Sequence, residues 1–284
     1  MRSRIRLSIL TTLATTAALT VALPATASAS ISGLEFVTGT TSFDSTVYKA
    51  VTVTCPSGKQ VIGTGYQFFG APGSVVLDDL IPTATTLRVG AGEVVGPGEP
   101  ADGTTQSWRI EATALCANPL PGLQVGSQTS EFDYGGSRQV GASCPFGKKL
   151  VGAGASLSQG FGQISIDSLL VSDTNAFASG REDDDFYSGQ WSVTVYTICA
   201  DPIPGLQTNV TTTFSDSNTS KSGTATCPGG TRALGTGWSN TGTGEVYITG
   251  VSTQSNGVTV NANEDANGYN ANWDLTMYTI CANP

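Results

Sequence analysis

Histidine is absent from this sequence. That removes the commonest general base, the Ser/His/Asp and Cys/His arrangements, and histidine metal ligation in one step. What remains is carboxylate chemistry and metal binding through oxygen. Asp78 and Asp167 stand at matching distances after Cys55 and Cys144, and a pair of carboxylates is what glycoside hydrolases use. The chain repeats three times, however, and its third copy has Thr249 in that neighbourhood. No acidic pair is apparent in all three copies, and such residues ordinarily occupy outward strand positions. The expectation is a protein that is not an enzyme, with a carboxylate-based glycoside hydrolase as the alternative.

The string Asn263-Glu264-Asp265-Ala266-Asn267-Gly268 followed by Asp274 has the spacing of a calcium loop. Its candidate ligands are Asn263, Asp265, Asn267 and Asp274. Asn stands where the pattern wants Asp, the flanks read as strands, and neither other copy matches. An Asn/Gly-rich hairpin loop is therefore the first reading and calcium the second, and no other cofactor is expected. In the corresponding loop of the second copy, Asp183, Asp184 and Asp185 would attract a cation or stay solvated. Gly58 to Gly63 and its counterparts have phosphate-loop spacing, but Thr64, Ala153 and Thr236 stand where that loop needs Lys.

The elements that must position these residues are organised around one strand. Trp191, Val193, Val195, Thr197 and Cys199 alternate with Ser192 and Thr194, the period of two that a strand imposes. Trp108 to Ala117 and Trp273 to Ala282 repeat the pattern. Ahead of each lies a Cys-Pro-x-Gly turn opened by Cys55, Cys144 or Cys227, then an apolar pair and Gly-x-Gly: Gly63 and Gly65, Gly152 and Gly154, Gly235 and Gly237. Glycines two apart share one face of a strand and clear it for something large. The Trp of the last strand is expected to cover them, as aromatics often do in sheets. Trp191 is accordingly expected in the core. Trp238, where the other copies have Tyr66 and Ala155, is expected to point away from the glycine face and to be dispensable for folding.

Self-similarity divides the chain into a leader at 1–29 and β repeats at 30–119, 120–202 and 203–284. Pro-rich joints, Asn118 to Gly122 and Asp201 to Gly205, end one strand ladder before the next and are too short for free tethers. About six strands per repeat are expected, and no window has sustained helical periodicity. Six cysteines allow 15 pairings. Only pairing within copies gives each repeat the same bond, which favours Cys55 with Cys116, Cys144 with Cys199, and Cys227 with Cys281. Zinc is set aside for lack of any CxxC or histidine.

Residues 1–29 carry Arg2, Arg4 and Arg6, a Thr- and Ala-rich apolar run, and Ala27-Ser28-Ala29, the parts of a secretory signal. The run falls short of a spanning helix, so the expected protein is secreted and extracellular with no membrane span. Removing the leader leaves 10 of the 13 basic residues against all 22 acidic ones, a formal charge of −12. Such a surface repels phosphate backbones, and nucleic acid is excluded as a partner.

The Cys-Pro-x-Gly, Gly-x-Gly and Trp-to-Cys-Ala pattern, over nearly the whole mature chain, resembles a repeat of exported actinobacterial proteins that are mostly uncharacterised. It is more distantly similar to vitelline membrane outer layer protein, whose three sheets form a β-prism and whose repeats are shorter. Neither resemblance implies catalytic residues. The expected fold is all-β, with three tandem disulfide-stapled antiparallel modules, sandwich-like and side by side, and a pseudo-threefold β-prism as the alternative. For function the expectation is a non-catalytic binding or structural protein, with carbohydrate or a cell-surface polymer as partner. Trp238, Tyr247, Tyr269, Phe186 and Tyr187 are the candidate contact residues, because exposed aromatic rings stack on sugars and partner proteins.

Overall fold

The computed structural model describes residues 30–95, 103–160, 162–183, 187–242 and 244–284. The expected leader, Asp184, Asp185 and Phe186 lie outside the described residues. Within them every regular element is a strand. The first repeat supplies β1 (Glu35–Thr40), β2 (Tyr48–Thr54), β3 (Gln60–Phe69), β4 (Val75–Pro82), β5 (Thr86–Glu93) and β6 (Arg109–Ala117). The second supplies β7 (Gln124–Thr129), β8 (Ser137–Ser143), β9 (Lys149–Ser158), β10 (Ile164–Val171), β11 (Asn175–Glu182) and β12 (Ser192–Ala200). The third supplies β13 (Gln207–Thr212), β14 (Ser220–Thr226), β15 (Arg232–Asn240), β16 (Val246–Gln254), β17 (Gly257–Glu264) and β18 (Leu275–Ala282).

These strands form three antiparallel sheets of six, ordered β1-β6-β3-β16-β17-β14, β2-β5-β4-β9-β12-β7 and β13-β18-β15-β10-β11-β8. Each repeat therefore divides its strands between two sheets, and each sheet joins two repeats. Within a repeat the two triplets face one another, β2 against β6, β8 against β12 and β14 against β18. The bonds Cys55–Cys116, Cys144–Cys199 and Cys227–Cys281 join the facing layers. A repeat is thus a small stapled sandwich, as expected, but not a closed unit docked beside its neighbours. Both of its layers run on into other repeats, which is the pseudo-threefold alternative.

The Gly-x-Gly pairs explain the closure. A side-chain carbon at Gly235 would lie 2.5 Å from the carbonyl oxygen of Val151, one at Gly152 would strike that of Ile62, and one at Gly63 that of Leu234. Repeat three thus leans on two, two on one, and one on three. The carbonyls belong to bulged positions between Val61 and Gly63, Leu150 and Gly152, and Ala233 and Gly235, where an extra residue pushes its backbone outward. The second glycines, Gly65, Gly154 and Gly237, abut Val251, Leu80 and Leu169 across the sheet junctions. The Trp does not cover these glycines. The register sets Tyr196 against Gly154 and Ile198 against Gly152, which leaves Trp191 at the far end of its strand, over Gly180.

Every Trp that precedes a last strand sits in the same setting. Trp108, Trp191 and Trp273 donate their indole N–H groups to Glu93 at 2.7 Å, Glu182 at 2.8 Å and Glu264 at 3.0 Å. On the ring face lies a cation, Lys49 at 4.9 Å, Arg138 at 5.3 Å and Lys221 at 4.7 Å from the ring centres. Each cation is paired with an aspartate, Asp44, Asp133 or Asp216. Two acids therefore do recur in every copy, contrary to the sequence reading. Both serve the buried Trp: the glutamate satisfies its N–H and the aspartate balances the cation over its face.

Candidate binding groove

The outer face of each six-stranded sheet carries a hollow, and in each a bulge turns one residue toward it. The bulged residues are Asp78, Asp167 and Thr249. They are the matching positions of the sequence, now on three different sheets, so Asp78 and Asp167 form no catalytic pair. Thr249 brings no carboxylate to its hollow: it donates to Asn263 at 3.2 Å, while Asn261 donates to Gln67 at 3.0 Å. Asp167 lies 3.3 Å from Ser179, in a hollow flanked by Arg138 and Arg181.

The hollow beside Asp78, about 330 Å³, is lined by Val47, Tyr48, Val76, Gly92, Gln159 and Gly162 from two repeats. Tyr48 begins β2 and is 42% exposed. Its hydroxyl lies 2.9 Å from Asp79 and 3.3 Å from Asp78, and accepts a hydrogen bond from Arg88 at 3.1 Å. Arg88 also pairs with Asp79. Gly90 leaves room below: a side-chain carbon there would collide with the Tyr48 hydroxyl and the Asp79 carboxylate. The result is an aromatic face beside the Asp78 carboxyl in the hollow, with the Tyr48 hydroxyl held by the buried Asp79 and by Arg88.

Burial raises the Asp78 pKa from 3.8 to about 6, with Tyr48 and Arg88 pulling it back down. Burial also raises Tyr48, against the lowering effect of Arg88. Because the folded pKa of Asp78 exceeds the unfolded one, the folded state binds more protons between the two. Its stabilising contribution is fully present below about 3.8 and is lost as pH rises through about 6. Asp78→Asn is expected to flatten that part of the pH–stability curve and to raise stability at neutral pH by on the order of 1–2 kcal/mol. Urea melts at acid and neutral pH measure this; an unchanged slope in the variant would rule the buried carboxyl out as its source.

The remaining predicted residues do not gather at a surface. Trp238 is 0% exposed and packs edge-on to Tyr66 with ring centres 6.3 Å apart. Its strand has no solvent side there: residues 233 to 238 are buried on both faces, and the ring meets Tyr66 of the first repeat. Tyr247 is buried too, with its hydroxyl 3.1 Å from Asp183. Tyr187 and Tyr269 are half-buried against the core. The calcium string does not fold into a loop of ligands either. Asn263 and Glu264 are still in β17, Asn263 is bonded to Thr249, Asn267 is exposed, and the Asp274 backbone N–H is bonded by Thr241. Asp265 alone meets other carboxylates, and these are Asp183 and Glu245.

Sequence reading missed Tyr48, Asp79 and Arg88. Asp79 stands next to Asp78, and that doublet was a usable signal; Tyr48 and Arg88 come from neighbouring strands and have no counterpart in the other copies. No protein-family model and no curated protein matches the chain. Its three disulfides are typical of extracellular proteins. No helix among the described residues is long and apolar enough to cross a membrane.

Proposed function

We propose that this is a secreted, non-catalytic binding protein that recognises carbohydrate of a cell surface or cell wall through the hollow around Tyr48. The observation that carries the reading is the half-exposed Tyr48 ring beside Asp78, Asp79 and Arg88. An aromatic face stacks on the apolar face of a sugar, while carboxylates accept from its hydroxyls and a guanidinium donates to its oxygens. The repeats support the same division of labour. Their interiors repeat Trp, Glu, cation and Asp, whereas the hollows differ at equivalent positions, so one scaffold presents three chemically distinct surfaces.

A screen of the mature protein against glycans and cell-wall polymers tests this. Tyr48→Ala is expected to weaken the glycan it finds at least about tenfold, equivalent to about 1.4 kcal/mol, without lowering the melting temperature. No glycan bound, or equal binding by the variant, would overturn the assignment. A carboxylate-based glycoside hydrolase is the second reading, favoured by one feature: Asp78 is raised to about 6 beside Asp79, which is paired with Arg88, a separation of acid and base roles that such enzymes use. New reducing ends appearing in the same screen, and lost in Asp78→Asn, would select it.

A further inference from the structure

The hairpins β4–β5, β10–β11 and β16–β17 bring equivalent residues together at one end of the pseudo-threefold axis. Backbone bonds mark the correspondence: Val94, Asp183 and Asp265 donate to the carbonyls of Ser74 at 2.9 Å, Gln163 at 3.1 Å and Glu245 at 2.9 Å. Just ahead of these strands, Gly73, Gly162 and Gly244 have φ of 75°, 88° and 102°. They press on Glu264, Glu93 and Glu182 of the next repeat, again in a ring.

Chemistry at this end is unequal around the axis. The first repeat contributes Val76 and Val94, which pack with Tyr247. The other two contribute Asp183 and Asp265, 8% and 7% exposed, and Glu245 from the loop. Oxygens of these three carboxylates all lie within 4.8 Å of one another, and the Tyr247 hydroxyl donates to Asp183 at 3.1 Å. Three carboxylates this close repel one another in a largely buried place, and a cation among them would relieve that repulsion. A second group points to the cation. Ser165 is 5% exposed and its hydroxyl has no hydrogen-bond partner among the described residues. It pairs with Arg181 across the hairpin, so Asp183 is the next residue on its face. Ser165 also occupies the hairpin position from which Val76 and Tyr247 reach this end of the axis.

We propose that Asp183, Glu245, Asp265 and the Ser165 hydroxyl hold one calcium ion, which ties the second repeat to the third. Oxygen-only donors with several carboxylates suit calcium, which tolerates irregular cages, better than magnesium, which demands a near-ideal octahedron. Only Asp265 is shared with the loop read from the sequence.

Calorimetric titration of the chelator-treated mature protein is expected to show one calcium ion per chain. Its melting temperature should rise by roughly 5–10 °C at a hundredfold excess of calcium over Kd. Asp183→Asn and Glu245→Gln should fold in chelator and lose the rise, whereas Asp274→Asn should keep it. No binding at millimolar calcium, or a rise retained in Asp183→Asn, would overturn the proposal. So would stabilisation by acid alone with no response to calcium, which would assign the cluster to a shared proton.

Discussion

Gly63→Ala is expected to abolish the folded state. The added methyl would sit far inside contact distance of the Leu234 carbonyl oxygen, and both partners are backbone, so no side chain can swing aside. Leu234 is the bulged residue between Ala233 and Gly235, held on either side by the ladder to β18. Moving it would shift Gly235 against Val151 and pass the strain around the ring. Ordinary overpacking costs about 1–3 kcal/mol where side chains relax; here the loss should exceed about 4 kcal/mol, most of the stability of a protein of average marginality. Gly229→Ala is the control, because nothing lies within 4 Å of the carbon it would add, and it should melt within about 0.5 kcal/mol of the parent. Soluble Gly63→Ala protein with a parental melting curve would show that the repeats do not close around these glycines.

That contact also marks where sequence reading ended. Alternation in Trp191 to Ala200 assigned the buried face of β12 correctly, and equal placement of the cysteines selected the three bonds that form. Both are local or repeat-wise properties. Alternation states which face of a strand is covered but not what covers it, so Gly63 and Gly65 announced a close approach without naming Leu234 or Val251. Sharing of sheets was equally hidden. The junction of β3 with β16 rests on two register pairs, Gly250 with Gln67 and Val251 with Tyr66, between segments at opposite ends of the chain. At the hollow, Asp78 was visible as an acid at a repeated position, yet its company was not, because Tyr48 and Arg88 arrive from β2 and β5 and occur in one repeat only. The calcium string failed for a related reason. Loop spacing presumes one continuous turn, whereas residues 263 and 264 complete a strand, and the carboxylates that meet Asp265 come from the loop before β16 and from another repeat.

Trp191→Ala and Trp238→Ala are expected to be equally damaging, each costing about 3–5 kcal/mol. Both rings are fully buried, although only Trp191 has a counterpart in every copy. Smaller rings separate them. Trp191→Phe retains an aromatic face under Arg138 but removes the N–H that serves both the Glu182 carboxylate at 2.8 Å and the Gly135 carbonyl at 3.0 Å. A buried acceptor left without its donor costs about 1–3 kcal/mol beyond the lost volume. The indole N–H of Trp238 has no partner among the described residues, so Trp238→Phe gives up packing alone against Tyr66 and Met277 and should be the milder change. Denaturant melts of the four variants rank them. If Trp238→Ala melts like the parent, that side of β15 is open after all; if the two phenylalanine variants are equally stable, the Trp–Glu bond contributes nothing that packing does not.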